Sequence, residues 1–259
     1  MRIVPLVKQV LDVDQVKTDA DGNVKTEGVP LKISNYDKNA VEAAVRIKEK
    51  HPGTEIVALA TGPNIKEGVK EVLAMGCDKA VIVNLAEFKG GDTLANSRVL
   101  AAAIKKIGGV DLIIGGEGSL DSYTGFTGPR LSARLGIPLV SYAIALEVAG
   151  QTAKVKSNVG GIIEDFEVPM PCVVTVSEEI NQPRLPPLLQ ILQAGKKPIQ
   201  EWKLADLGLK PEDVGTKGAG LHILKNQAPK MERKRVRIKG TPEEAAAQLV
   251  QALRKEGVF

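Results

Sequence analysis

The sequence predicts a doubly wound α/β fold on a mostly parallel sheet. Two observations carry this. Short apolar runs alternate with longer amphipathic segments through the first 145 residues, the pattern of strands joined by crossover helices. Glycine, asparagine and hydroxyl residues cluster directly after several of the apolar runs, where turns leave the carboxyl ends of strands.

The first run, "RIVPLV", reads as a buried strand, and "AVEAAVRIKEK" then places Val41, Ala44, Val45 and Lys48 at helical spacing. "EIVALAT" is a second strand, followed by "IKEGVKEVLAMG", a helix stopped by Gly76. "KAVIVNL" is a third, followed by "DTLANSRVLAAAIKKIGG", a helix with an Asp–Thr start and a double-glycine stop. "VDLIIGG" is a fourth, leading through a glycine-rich loop into "GPRLSARLGI". Between the first strand and first helix, Asp21-Gly22 flanked by "VKTD" and "NVKT" is a hairpin signal.

Past residue 138 the pattern changes. "LVSYAIALEVAG" and "TAKVKSNV" read as antiparallel strands and "CVVTV" as a last buried strand. From Ser177 onward, Pro183, Pro186, Pro187 and Pro198 argue against regular structure and for an extended arm. "KMERKRVRIKG" alternates basic and apolar residues as an exposed-edge strand does. Thr241 as N-cap, Pro242 at the first position and Glu244 closing a capping box mark a final helix. The expected division is an α/β domain over 1–176, then an extended arm, a basic segment and a C-terminal helix over 177–259.

Composition narrows the function. Hydrophobic residues are 43% and charged residues 25%, ordinary for a globular chain. Aromatics are only 3%, which argues against stacking surfaces for single-stranded nucleic acid. Residues 195–240 hold twelve Lys/Arg against five acids, a basic stretch best read as a tail for a protein partner. Cys77, Cys172, His51 and His222 assemble no metal or nucleophile–histidine constellation. The start "MRIVPLV" is too short for a signal peptide and no apolar run approaches ~18 residues, so a soluble cytoplasmic protein is expected.

The loop "GGEGSLDSYTGFTGPRLSARLG" (115–136) invites three phosphate motifs. In G-x-G-x-x-G the third glycine position is Asp121, and no lysine follows a glycine as a P-loop requires. The resemblance to the SGGxDS loop of ATP pyrophosphatases fails on position, since that loop follows a first strand. General physics remains. Glycines admit backbone N–H groups to an anion, and the following helix N-terminus adds positive dipole. Ser122, Thr124 and Thr127 carry hydroxyls for phosphate oxygens, and Asp121 suits either a ribose hydroxyl or a helix cap. An ordinary glycine-rich turn is the alternative. Two similar turns, "ATGPN" at 60–64 and "ISNYDKN" at 33–39, tilt the balance toward a nucleotide cleft.

"VKQVLD", "AVEAAVRIKE", "LAMGCDKAV", "GGDTLANS", "LDSYTG", "MPCVVTV" and "INQPRLPPLLQILQAGKKPIQ" fall in an order and spacing that resemble the electron transfer flavoprotein β subunit over nearly the whole chain. The resemblance implies an adenine nucleotide α-hydrolase-like fold and a non-enzymatic electron carrier. Its implied partner is an α subunit bearing FAD. The resemblance also implies electrons taken from acyl-CoA or other flavin dehydrogenases and passed to a quinone oxidoreductase. It places Leu6 beside the base, Ser34 and Thr61 on neighbouring turns, and Gly116 with Asp121, Ser122, Tyr123, Thr124, Gly125, Phe126 and Thr127 around the phosphates.

Where the family often reads D-G-D-T-[GA]-Q, this chain reads "DSYTGF", and its usual "NP" is Ser34-Asn35. Many members hold AMP in this site. A branch resembling the nitrogen-fixation-type and clostridial proteins holds a second FAD and bifurcates electrons from NADH toward ferredoxin or flavodoxin. "GGDTLANS" is similar to that branch, which implies Asp92 and Thr93 near the pyrophosphate or ribityl region and favours FAD. The arm implies docking to a dehydrogenase through Ile180, with Leu185 as rival. A free-standing nucleotide-binding or nucleotide-hydrolysing α/β protein is the alternative function.

Overall fold

The structure, a computed structural model, describes residues 1–62, 65–83, 91–229 and 233–258. Parts of "ATGPN", "KAVIVNL", "GGDTLANS" and "KMERKRVRIKG" therefore lie outside the described residues. Two compact units form, one of Met1–Lys17 with Lys25–Asn226 and a smaller one of Thr18–Val24 with Gln227–Phe259.

The alternating pattern folds as read. Strand β1 (Arg2–Leu11) is followed by the short pair β2 (Lys17–Thr18) and β3 (Val24–Lys25), then β4 (Leu31–Ile33). Then come α1 (Asn35–Lys50), β5 (Glu55–Thr61), α2 (Lys66–Met75), β6 (Lys79–Val83), α3 (Thr93–Ile107), β7 (Leu112–Gly116) and α4 (Thr127–Leu135). The chain continues through β8 (Leu139–Ala149), β9 (Thr152–Val159), β10 (Ile162–Pro169) and β11 (Cys172–Val176). The turn at Asp19–Gly22, closed by the Gly22 N–H on the Asp19 carbonyl at 3.0 Å, is the hairpin that Asp21-Gly22 predicts.

A ten-stranded sheet runs β10-β9-β8-β11-β7-β1-β5-β6-β12, with β4 beside the end of β1; β12 is Ile199–Trp202. Pairing is parallel from β8 through β11, β7, β1, β5 and β6 to β12, and antiparallel along β8-β9-β10. Alternation along β1 divides the core. Ile3 and Val7 pack on the face covered by α1 and α2, whereas Val4 and Leu6 pack on the face covered by α3 and α4. Both faces being covered, Ile56 through Ala60 are all buried, which is why that strand reads as an unbroken apolar run.

Helix ends follow their sequence signals. Asp92 caps α3, its carboxylate accepting the Ala95 N–H at 2.9 Å. Gly76 ends α2 at φ +138°, where an added Cβ would meet Val45 Cγ2 at 2.9 Å. α1 begins at Asn35, five residues ahead of the apolar pattern, because its first turn is polar.

Beyond Ser177 the fold departs from expectation. Residues 181–187 have no regular structure, but α5 (Leu188–Ala194), β12, several 3-10 turns and α6 (Gly215–Gly218) follow. Prolines do not prevent them. Pro187 occupies the N-cap of α5, and Pro198 precedes an edge strand that pairs with β6, both places where a missing N–H costs little. Strand β10 was not expected; it is the exposed far edge of the sheet, and its polar sequence hides it. In the smaller unit, residues 233–239 form no strand. α7 (Pro242–Lys255) carries the expected Thr241–Glu244 capping box. No described helix is long and apolar enough to cross a membrane.

Candidate functional site

β1 and β7 lie side by side and parallel, yet the chain leaves them in opposite directions. From β1 it passes by α1 to β5 on one side; from β7 it passes by α4 to β8 on the other. This is a topological switch point, and its crevice opens at the carboxyl ends of the two strands. The register brings Lys8 level with Thr61 and Val176 level with Gly116. Leu6 is buried one layer below, against Gly115, whose added Cβ would come within 3.3 Å of Leu6 Cδ1. Ser34 is fully buried at the N-cap of α1, and its Oγ has no hydrogen-bond partner among the described residues.

The β7–α4 loop is held from α1 and β1. An added Cβ on Gly116 would sit 2.5 Å from Tyr36 Cβ and 2.9 Å from Asp37 Oδ1, so only glycine fits against the first turn of α1. Asp37 accepts the Lys8 backbone N–H at 2.6 Å and also that of Gly116. Burial pushes its carboxyl up to about 7, against the opposing pull of those N–H groups and the Lys8 ammonium. Lys8 Nζ in turn binds both oxygens of Asp121, at 2.8 and 2.9 Å. Burial raises the Asp121 carboxyl, but Lys8 and the hydroxyls of Ser119 and Ser122 outweigh it and hold the group below its ordinary value.

Tyr123 stands at φ +39° with its ring 5.6 Å from that of Tyr36. Its hydroxyl donates to Glu117, which keeps the phenol protonated well above its ordinary range. Gly125 adopts φ +69°. An added Cβ on Gly128 would strike Thr175 Cγ2, so glycine lets the start of α4 approach β11.

Two helix N-termini meet here. At α4 the N-cap is Phe126, which makes no side-chain cap bond. At α3 Asp92 caps the helix and also accepts the N–H groups of Gly220 and Leu221, at 2.9 and 3.2 Å. Asp121 is tied to Lys8 and does not cap α4. Arg130 of α4 reaches across, its Nη1 lying 3.9 Å from Asp92 Oδ2.

The carboxyl edge thus gathers Ser34, Thr61, Gly116 and the run from Asp121 to Thr127, with Asp92 and Thr93 beside them through Arg130. Thr124 and Phe126 are exposed. Lys8, Tyr36, Asp37, Glu117 and Arg130 were not legible as site residues. Each had a signal of position: Lys8 stands two beyond Leu6, Tyr36 and Asp37 lie in "ISNYDKN", and Glu117 and Arg130 lie in the 115–136 stretch. A Ser34 hydroxyl and an Arg130 nitrogen that lack hydrogen-bond partners among the described residues, together with an uncapped helix start, fit a phosphate-bearing nucleotide. The loop's acid is spent on Lys8 and Ser119, which leaves it a poor base.

In the arm, Ile180 is partly buried and packs against the core, whereas Leu185 is 93% exposed. Arg184 anchors the segment on α1 through Glu42 at 2.8 Å and Glu49 at 2.7 Å. Beside it Asn39 and Asn181 exchange amide hydrogen bonds with each other's backbone carbonyls, at 2.7 and 3.0 Å.

Residues 21–207 match a family described as the Electron transfer flavoprotein domain. The chain is 36% identical to the Caffeyl-CoA reductase-Etf complex subunit CarD of Acetobacterium woodii, over 100% of both chains. It is 34% identical to the Electron transfer flavoprotein subunit beta of Clostridium acetobutylicum, over 99% of each. With the subunit beta of Bacillus subtilis the identity is 33%, over 99% of this chain and 98% of that one.

Proposed function

The chain belongs to the electron transfer flavoprotein family, alike along its full length to the β subunits, and from that premise we propose that it holds an adenine nucleotide in the β1–β7 crevice and works as a heterodimer with an α subunit. The family's role is electron transfer. The observation that carries the nucleotide reading is the β7–α4 loop, a glycine-built turn ending on an uncapped helix start at the switch point.

FAD is the favoured occupant over AMP, because "GGDTLANS" at the start of α3 is similar to the FAD-bearing branch and its Asp92 lies 3.9 Å from Arg130 of α4. The flavin, when bound, supplies one- and two-electron redox chemistry. This chain's residues bind and orient it. Asp37 fixes the ends of β1 and β7, and Lys8 with Asp121 fixes the loop. Donors proposed are acyl-CoA or other flavin dehydrogenases, or NADH with bifurcation toward ferredoxin or flavodoxin. A quinone oxidoreductase is the other acceptor.

Docking is assigned to the arm. Leu185 is open to a partner, with Leu188, Leu189 and Leu192 of α5 also exposed. Ile180 serves from beneath, holding the arm to its own core.

The test is chemical. Denaturing the purified heterodimer should release two FAD per complex, and NADH should reduce it. One FAD with one AMP would refute the FAD assignment and bifurcation together.

A further inference from the structure

We propose that Glu42 and Arg184 form a clamp that positions the arm, so that Glu42, itself shielded from any partner, governs how tightly a flavin dehydrogenase docks; this rests on the arm being the docking surface. Glu42 lies on α1 and is 2% exposed. A carboxylate is unfavourable to bury unless its oxygens are paired. Here one oxygen accepts the Arg184 Nε–H at 2.8 Å and the Arg184 backbone N–H at 3.2 Å. The other accepts from Arg184 Nη2 at 3.2 Å and from Arg46 Nε at 2.7 Å. Burial raises the Glu42 carboxyl, but Arg184 and Arg46 outweigh it and hold the group below its ordinary value. The two-pronged contact fixes the plane of the guanidinium, and the bond to the Arg184 N–H fixes the main chain at the same residue.

The arm has little else to hold it there. Residues 181–186 lie outside every helix and strand, and among the described residues they make no backbone–backbone hydrogen bond. Side chains of α1 take over that task. Asn39 exchanges bonds with Asn181, Arg46 donates to the Gln182 carbonyl at 3.4 Å, and Glu42 and Glu49 share Arg184. Positions 39, 42, 46 and 49 follow one another at three- and four-residue steps, a single stripe of the helix. Directly after the clamped residue comes Leu185, 93% exposed, with Leu188 and Leu189 exposed behind it. The stripe thus fixes an apolar surface segment before a partner arrives. Ordering it in advance removes an entropic cost from docking.

Steady-state electron transfer from a purified acyl-CoA dehydrogenase to the whole heterodimer tests this. Glu42→Gln and Arg184→Gln should each raise the KM for the heterodimer roughly tenfold, with a smaller change in kcat and flavin content as in wild type. The double variant should raise KM no further than the larger single change, because either substitution opens the same clamp. Should Glu42→Gln not fold, Arg184→Lys is read in its place: it keeps the charge, loses the fork, and should raise KM as Arg184→Gln does. An unchanged KM in both single variants would make the pair structural only and overturn the clamp. Additive increases in the double variant would overturn it too, by showing that Arg184 meets the partner itself. In either case a raised KM for Leu185→Ser leaves the docking surface standing. An unchanged KM for Leu185→Ser as well, or a wild-type heterodimer that takes no electrons from the dehydrogenase, would overturn both.

Discussion

Asp37, from a buried position on α1, accepts the backbone N–H of Lys8 at 2.6 Å and so pins the end of β1 beside the end of β7. Buried acids are unfavourable when ionised, and this one is raised from 3.8 to about 7. The folded chain therefore holds the proton more tightly than the unfolded chain. Stability from this group is fully present below about 3.8, is lost as pH climbs to about 7, and is constant above that.

The first prediction follows from that sign. Asp37→Asn does not titrate, so the melting-temperature difference between wild type and variant should move in the variant's favour between pH 5 and pH 8. The shift is at most roughly 2–3 kcal/mol, on the order of 5–10 °C. Parallel curves would mean that Asp37 titrates as an ordinary carboxyl.

Lys8→Gln should loosen the loop rather than the fold. The Lys8 and Asp121 side chains are 41% and 34% exposed, and pairs of that kind contribute about 1 kcal/mol or less. Melting temperature should barely move while adenine-nucleotide affinity falls. An affinity equal to wild type would detach the Lys8–Asp121 pair from the site.

Gly125→Val asks a β-branched side chain to adopt φ +69°, a conformation that costs such residues on the order of 1–3 kcal/mol. The loop should relax away from its bound shape. Nucleotide retained through purification, measured by chromatography after denaturation, should drop well below one per chain. Full retention would show that Gly125 is dispensable to the cradle.

The arm separates two leucine-type roles. Leu185→Ser should slow electron transfer from a partner dehydrogenase and leave the melting temperature unchanged, since the side chain is 93% exposed. Ile180→Ala should lower stability by roughly 1–3 kcal/mol, because it removes a partly buried contact with the core. Reversed results would make Ile180 the docking side chain.

Legibility in the sequence tracked burial and locality. Strands such as "EIVALAT" were readable because both faces are covered and the run is wholly apolar. β10 was not, because only Val168 of its eight residues is buried. The loop announced itself through local glycines. Its supports did not, because Lys8 and Asp121 are 113 positions apart and meet only through the parallel pairing of β1 and β7. Asp37 was read only as part of a turn and Arg130 only as part of a helix, and their roles arise from what α1 and α4 are packed against. The prolines of the arm misled for the same reason, since nothing local shows that Pro198 leads into a strand beside β6.

Hydrogen exchange along the chain, with and without adenine nucleotide, tests the central claim most directly. The account predicts that nucleotide slows exchange at residues 116–128, with lesser slowing at Lys8 and at the start of α1. Slowing confined to another part of the chain, or none on saturation with FAD and AMP, would contradict a nucleotide site in the β1–β7 crevice.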